Sequence, residues 1–499
     1  MSRRNADEVE GGGGGSAIVP IGYYELLQNA YLSRVRKIDK DLGLNNQLAR
    51  QPRQSTGLLC ADVVLGNGFV PGFNVYLGEE QSAKSTACMT TLGASLNHKI
   101  PLRKYFDAEG AVDMRYTGNI LNVDSFSDVF GQQNRAGQWI KRPHCMYHDT
   151  NVLEEVFRDI HRVASFMPDK LFREDIGEWF LRFDRTRESV ALLKETKLVP
   201  DKALFRSTGQ YWCSVGDDDN PQGMVFVDSL PSLIPKDINE EAISDKGRAI
   251  DAKAMSKGMK LVRGLLRPKA IILMAVNQLR SNPDSSPGSL PWYEPMGNAI
   301  KFASDSRTMW TSRVPQDNFP RFKDNKGLCE EDSVEFRGGK DLYAFKGITN
   351  IKNKYGQPKR KGMARVWIKD GAGEPRGFDP VYDTWKFLDN MDLIQGTFSP
   401  TDRRKKFRVN IPRIVDYEWT YLSFKALVIA QFDDNRRLLS ICKERGIPTF
   451  KLRDYCFYMI RTGMSEDLLA KVALRAGSKP LSAEMDIEAE GEDEDEDDE

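Results

Sequence analysis

The stretch YLGEEQSAKSTACMTTLG, Tyr76 to Gly93, carries most of a phosphate-binding loop. The pattern is G-x-x-x-x-G-K-[ST]; Gly78, Lys84 and Ser85 are in place, and Ala83 stands where the second glycine belongs. Such a loop binds phosphate with backbone N–H groups, here from Glu79, Glu80, Gln81, Ser82 and Ala83 and from the start of the next helix as far as Thr86. Lys84 would reach the β- and γ-phosphates, and Ser85 would hold Mg²⁺. Ala83 is expected at the helix entry in right-handed backbone, where a methyl is tolerated. Glycine is needed only for positive φ or close ligand approach.

Three further groups suit phosphoryl chemistry. Asp228 ends the apolar run MVFVD, where a carboxylate on a neighbouring strand can order Mg²⁺, although many strands end in Asp. Glu109, just past KYFD, can orient or deprotonate water; its bland alternative is a solvated loop carboxylate. Asn277 and Gln278 end AIILMAV, and an amide there can sense a γ-phosphate and report its loss to the loop that follows.

These groups need a scaffold. NVYLG, KYFDAEG, GMVFVDSL, AIILMAVNQ, RTMWTSRV and ARVWIKDG read as strands, alternating with helical patterns. That predicts an α/β fold with a largely parallel sheet flanked by helices. Residues 1–22 read as a Gly-rich flexible start. Residues 23–55 hold an amphipathic helix, Tyr23 to Gly43, and a linker. The core is expected over 56–395. Past Gly396 strand signals fade, and 396–480 read as a small helical domain.

Charge is uneven along the chain. The total is 72 basic and 72 acidic residues, but twelve of the acidic ones crowd between Glu484 and Glu499. Without them, 72 basic residues face 60 acidic ones. A basic body suits a polyanion, and the acidic tail at 481–499 either competes with it or is a solvated, disordered end. The longest apolar run, Ala270 to Val276, is far short of the ~18 residues of a membrane span. No signal peptide is read at the N-terminus. Seven cysteines without a C-x-x-C pair fit a reduced, cytoplasmic protein.

The ordered set GLLCADVVLGNGFVPGFNVYLGEEQSAKST, FDAEGAVDMRY, VFVDSL, NQLR, GNAIKFASDSR and IKNK resembles the RecA family and, more loosely, its phage relatives of the UvsX type. The resemblance covers roughly Thr56 to Gln395. It implies a RecA-like P-loop ATPase core using ATP and Mg²⁺. Lys84, Glu109 and Gln278 would be the catalytic and sensing residues, with Glu109 activating water. Ser85 and Asp228 would hold the metal, and Tyr116 would stack on adenine. Gln278 would open a second DNA loop, about Leu279 to Gly297, offering Arg280, Ser281, Trp292, Tyr293, Gly297 and Asn298 to DNA. A first DNA loop would fall near Ile238 to Gly247, before a helix with Ala252, Met255, Met259 and Val262 on its core face. Lys352 and Lys354 would reach a neighbour's ATP across a filament interface, or else lie on an ordinary basic strand edge.

There are departures from that pattern. Tyr116 and Asp228 are widely separated, so about 130–223 reads as an insertion. His144, Cys145 and His148 suit packing or surface roles better than a metal, since no second ligand cluster is near. Arg403 to Arg408, RRKKFR, either contacts phosphates or is a solvated linker. The implied function is a recombinase filament on single-stranded DNA that also takes up double-stranded DNA, with the Tyr23–Gly43 helix docking one subunit on the next. The rival readings are a hexameric ring motor and an ATP-switched scaffold with a dead site.

Overall fold

A computed structural model of the chain describes residues 50–121, 123–236, 246–281, 292–296, 298–312, 342–356, 358–369, 377–391, 393–396, 406–411, 415–420, 424–425, 428, 453, 456–457 and 460. The Tyr23–Gly43 helix, the first DNA loop up to Asp245, most of the second, and the acidic tail lie outside the described residues.

In chain order the elements are α1 Leu59–Leu65, β1 Gly72–Gly78, α2 Lys84–Leu96, β2 Leu102–Asp107, α3 Met114–Leu121, α4 Phe126–Phe130, β3 Gln132–Gln133, β4 Trp139–Lys141, β5 Met146–Asp149 and α5 Leu153–Phe166. Then come β6 Asp169–Arg173, β7 Glu178–Phe183, α6 Arg187–Thr196, α7 Lys202–Thr208, β8 Tyr211–Gly216, β9 Gly223–Asp228, α8 Lys246–Leu266 and β10 Ile271–Gln278. The remainder is β11 Arg280–Ser281, β12 Trp292–Tyr293, α9 Asn298–Ala303, β13 Ser306–Thr311, β14 Leu342–Asn353, β15 Lys361–Lys369, β16 Gly377–Phe378, α10 Pro380–Asn390, β17 Ile394–Gln395, β18 Lys406–Ile411 and β19 Val415–Thr420.

Nine strands form the main sheet in the order β16-β15-β14-β13-β1-β10-β9-β2-β5. From β13 to β5 the pairing is parallel, and β14 to β16 add an antiparallel flank. All six strands of the expected set are present. Central strands buried on both faces read as continuous apolar runs, as β9 and β10 do. On one face Ile272, Met274 and Val276 pack with Ala87, Cys88 and Leu92 of α2. On the other, Ile271, Leu273 and Ala275 pack with Val156 and Ile160 of α5 and with Met255, Met259 and Val262 of α8. Fully burying each such Val, Leu, Ile or Met contributes roughly 1.5–3 kcal/mol. The expected core face of α8 holds at three of its four positions, Ala252 being only half-buried.

The chain falls into two compact units. Among the described residues, one is 51–170 with those from Asp217 on, and the other is Leu171–Gly216 with Arg50. The stretch expected as one insertion is therefore divided: β5 joins the main sheet beside β2, and α5 packs on α8. The smaller unit holds a sheet ordered β6-β7-β8, with one core of Leu171, Phe180 and Trp212 and another of Phe183, Leu193 and Cys213.

Among the described residues past Gly396, 406–411 and 415–420 are strands, where strand signals are expected to fade, while those from Phe424 on are helical. β17, β18 and β19 form an antiparallel sheet. Phe407 and Val409 are buried while Lys406 and Arg408 are exposed, which is the alternation of a half-buried strand. Reading RRKKFR as one basic run hid that period of two.

Candidate nucleotide site

β1 ends at Gly78 and α2 begins at Lys84, so the loop joins a buried central strand to a helix N-terminus. Gly78 is obligatory: a Cβ there would lie 2.2 Å from the Trp310 carbonyl oxygen and 2.5 Å from Ser82 Oγ. The loop curls on Glu79, whose carbonyl accepts from Ser82 Oγ at 2.7 Å and from Lys84 Nζ. Lys84 Nζ also donates to Ser82 Oγ at 3.2 Å. Burial pulls the Lys84 ammonium down to about 8, against the attraction of Asp228, Glu109, Glu80 and Glu79.

Ala83 corrects the sequence expectation. It is the N-cap of α2 with φ 69° and ψ 25°, in the left-handed region, and gives α2 no side-chain cap. Gln81 is also left-handed, at φ 60°. The chain therefore makes the turn that usually calls for glycine with alanine, at a cost of roughly 1–2 kcal/mol.

Parallel register carries the other groups to the same sheet edge. Gly78 lies beside Gln278, and Asp107 beside Asp228. Asp228 Oδ2 accepts from Tyr105 Oη at 2.9 Å, and the nearby Ser85 hydroxyl favours its charged form. Burial raises Asp228 to about 6, with Glu109 and Asp107 pushing the same way. Its Oδ1 is buried without a hydrogen-bond partner. A buried carboxylate with one oxygen unused beside a serine hydroxyl fits a hard divalent cation such as Mg²⁺.

Glu109 joins two strand ends. Its Oε1 accepts from Ser229 Oγ at 2.5 Å, from Gln278 Nε2 at 2.9 Å and from Ser232 Oγ at 3.3 Å. Residues 169 positions apart thus meet through one carboxylate oxygen. Of the two amides at the end of β10, only Gln278 is shown on this carboxylate; Asn277 is fully buried, and neither of its amide atoms has a hydrogen-bond partner. Tyr116 lies at the rim, its hydroxyl 2.6 Å from Thr86 Oγ1.

The remaining expected residues lie elsewhere. Arg280 and Ser281 pair with Tyr293 and Trp292 in the β11–β12 hairpin directly after Gln278. Asn298 opens α9, and Gly297 is outside the described residues. Lys352 and Lys354 are toward the opposite sheet edge, because Lys352 pairs with Arg307 at the start of β13 whereas Gly78 pairs with Trp310 near its end. Lys352 Nζ donates to the Lys301 carbonyl at 2.5 Å, and Lys354 Nζ sits 2.9 Å from Asp305 Oδ1. His144, Cys145 and His148 diverge: His144 is exposed, Cys145 is in the core, and His148 stacks on Phe106 at 5.0 Å.

Sequence reading missed three groups. Tyr105 was legible two positions before Asp107, on the same strand face. Ser229 and Ser232 follow Asp228, but only folding puts them on Glu109. Lys346 Nζ donates to the Gln81 carbonyl and to Ser312 Oγ, each at 3.0 Å, and its signal was a lone lysine inside the run YAFKGIT.

A parallel sheet with a strand–loop–helix phosphate site and carboxylates on adjacent strand ends defines a RecA-like α/β core. Comparison with curated proteins agrees. Protein RecA of Mycoplasma pneumoniae is 25% identical over 255 residues, which are 51% of this chain and 54% of that protein. Protein RecA of Malacoplasma penetrans is 23% identical over 184 residues, 35% of this chain and 46% of its own. Protein RecA of Aquifex aeolicus is 30% identical over 91 residues, 17% of this chain and 24% of its own. These matches support a distant relationship to the RecA family. It spans about half the length of the first of these relatives. No family model matches it.

Proposed function

We propose that this chain is a DNA-dependent ATPase and homologous recombinase. It assembles with ATP on single-stranded DNA into a filament, pairs it with duplex DNA and exchanges strands, in the cytoplasm of a bacterial or phage-infected cell. The observation that carries this reading is the hydrogen bond from Gln278 to Glu109. It joins the water-activating carboxylate to the residue from which the β11–β12 hairpin departs.

In this reading the loop N–H groups and Lys84 bind the phosphates, Ser85 and Asp228 hold Mg²⁺, and Tyr116 faces the adenine. The metal supplies charge neutralisation at the β- and γ-phosphates. Glu109 orients the attacking water. Gln278 exchanges its Glu109 contact for the γ-phosphate and so alters the hairpin that meets DNA through Arg280, Ser281, Trp292, Tyr293, Gly297 and Asn298. Lys352 and Lys354 are too far along the sheet to serve their own loop, which suits a role toward a neighbouring subunit.

Electron microscopy of the full chain with single-stranded DNA and a slowly hydrolysed ATP analogue tests this. Helical filaments are expected; closed six-membered rings would turn the reading to a ring motor. Absence of ATP turnover with DNA would leave an ATP-switched scaffold.

A further inference from the structure

We infer that Lys346 is a nucleotide-positioning residue, holding the glycine-poor phosphate loop in its phosphate-binding shape. The inference deepens the ATP reading above and rests on it. Lys346 is only 8% exposed, in the middle of β14 opposite Ala364. It is two residues from Ile348, which packs in the core on the α2 face of the sheet. The period of two therefore puts Lys346 on the same face as the loop. Its ammonium bridges the Gln81 carbonyl and the Ser312 hydroxyl just past the end of β13.

Gln81 is one of two left-handed non-glycine residues in this loop, Ala83 being the other. Such backbone persists only where its surroundings hold it. Gly78 would tolerate no side chain, so one end of the loop is fixed by close packing. The Lys346 bond fixes the middle. It also brings a second ammonium to a loop that already holds Lys84, in a buried setting where charge acts strongly on phosphate.

The role is one of ground-state binding. Lys346 is bonded to the loop, whereas the water-activating carboxylate Glu109 is held by Ser229, Ser232 and Gln278. Removing Lys346 should therefore raise KM and Kd for ATP and spare kcat.

The experiment measures ATP–Mg²⁺ binding by calorimetry, and steady-state hydrolysis, on the full chain. The variants are Lys346→Met, Lys346→Arg and Ser312→Ala, each also in an Ala83→Gly background. Lys346→Met should weaken ATP binding roughly 10- to 100-fold, the scale of a lost charged hydrogen bond, with kcat changed less than about two-fold. Lys346→Arg should recover most of the affinity, and Ser312→Ala should lose a smaller part. In the Ala83→Gly background the Lys346→Met loss should shrink, because a relaxed loop needs less support. Unchanged affinity in Lys346→Met, or a fall in kcat at unchanged KM, would overturn the inference. An equal loss in both backgrounds would overturn the loop-holding role. If Lys346→Met does not fold, Ser312→Ala and Lys346→Arg carry the same decision. A wild-type chain that binds no ATP would instead overturn the nucleotide reading.

Discussion

Lys84 is held where its charge is costly without an anion. Its folded value of about 8 lies below the ordinary 10.5, so the charged form is disfavoured in the fold. That penalty is full below about pH 8 and fades as pH rises toward 10.5. Lys84→Met should therefore raise the melting temperature of the nucleotide-free chain at pH 7 by a few °C, on the order of 3 kcal/mol, while abolishing ATP binding. The stability gain over wild type should shrink above pH 8. ATP affinity of the wild type, followed by calorimetry from pH 6.5 to 9.5, should fall above about 8 as the ammonium is lost. A melting temperature below wild type at pH 7 would refute the buried-charge argument. Ala83→Gly should stabilise the chain by roughly 1 kcal/mol by relieving left-handed backbone, as chemical denaturation would report. Glu109→Gln should keep ATP binding and lose turnover ~10²-fold or more, the usual loss when a general base is removed. Normal hydrolysis by that variant would move the base elsewhere.

At the scale of elements, the parallel sheet turns distant sequence into one edge. β1, β2, β9 and β10 deliver Gly78, Asp107, Asp228 and Gln278 together because parallel register aligns their C-terminal ends. Gln278 then leads into β11 and β12, so the Glu109 contact and the hairpin share one segment. Gln278→Ala should bind ATP normally but lose the stimulation of hydrolysis by single-stranded DNA. Equal stimulation in both proteins would separate the hairpin from the site. Lys352 and Lys354 have contacts inside the chain, on the α9 carbonyl of Lys301 and on Asp305. Double substitution to Ala should weaken assembly on DNA more than it lowers the melting temperature of the subunit. The reverse ranking would leave these lysines a purely internal role.

The whole molecule carries a basic excess up to residue 483 and twelve acidic residues after it. An acidic segment of this charge would compete with a polyanion for the basic body, which on the proposed function is DNA. Truncation at about Leu481 should tighten DNA binding at low salt. The advantage should fade as salt rises, since charges are screened over ~10 Å at 0.1 M and phosphate contacts weaken too. Hydrolysis on saturating single-stranded DNA should hardly change. Coincident salt titrations for full-length and truncated chains would make the tail a solvated end.

Much of this protein is determined by local sequence. Six apolar strand runs, the G-x-x-x-x-A-K-S loop and the carboxylates at strand ends each depend on a few adjacent residues, and hydrophobic period and turn chemistry are local properties. What only tertiary structure decided are relations between distant residues. Glu109 meets Gln278 and Ser229 because three strands end together. Lys346 reaches Gln81 across 265 positions because β14 folds back beside β13. The left-handed turn at Ala83 could not be read either: alanine is tolerated there only because the packing around the loop outweighs its own backbone preference. β5 shows the same physics. Its short, mixed sequence MYHD, half-buried only at Tyr147 and His148, carries no strong strand signal, and parallel pairing with β2 makes it a strand.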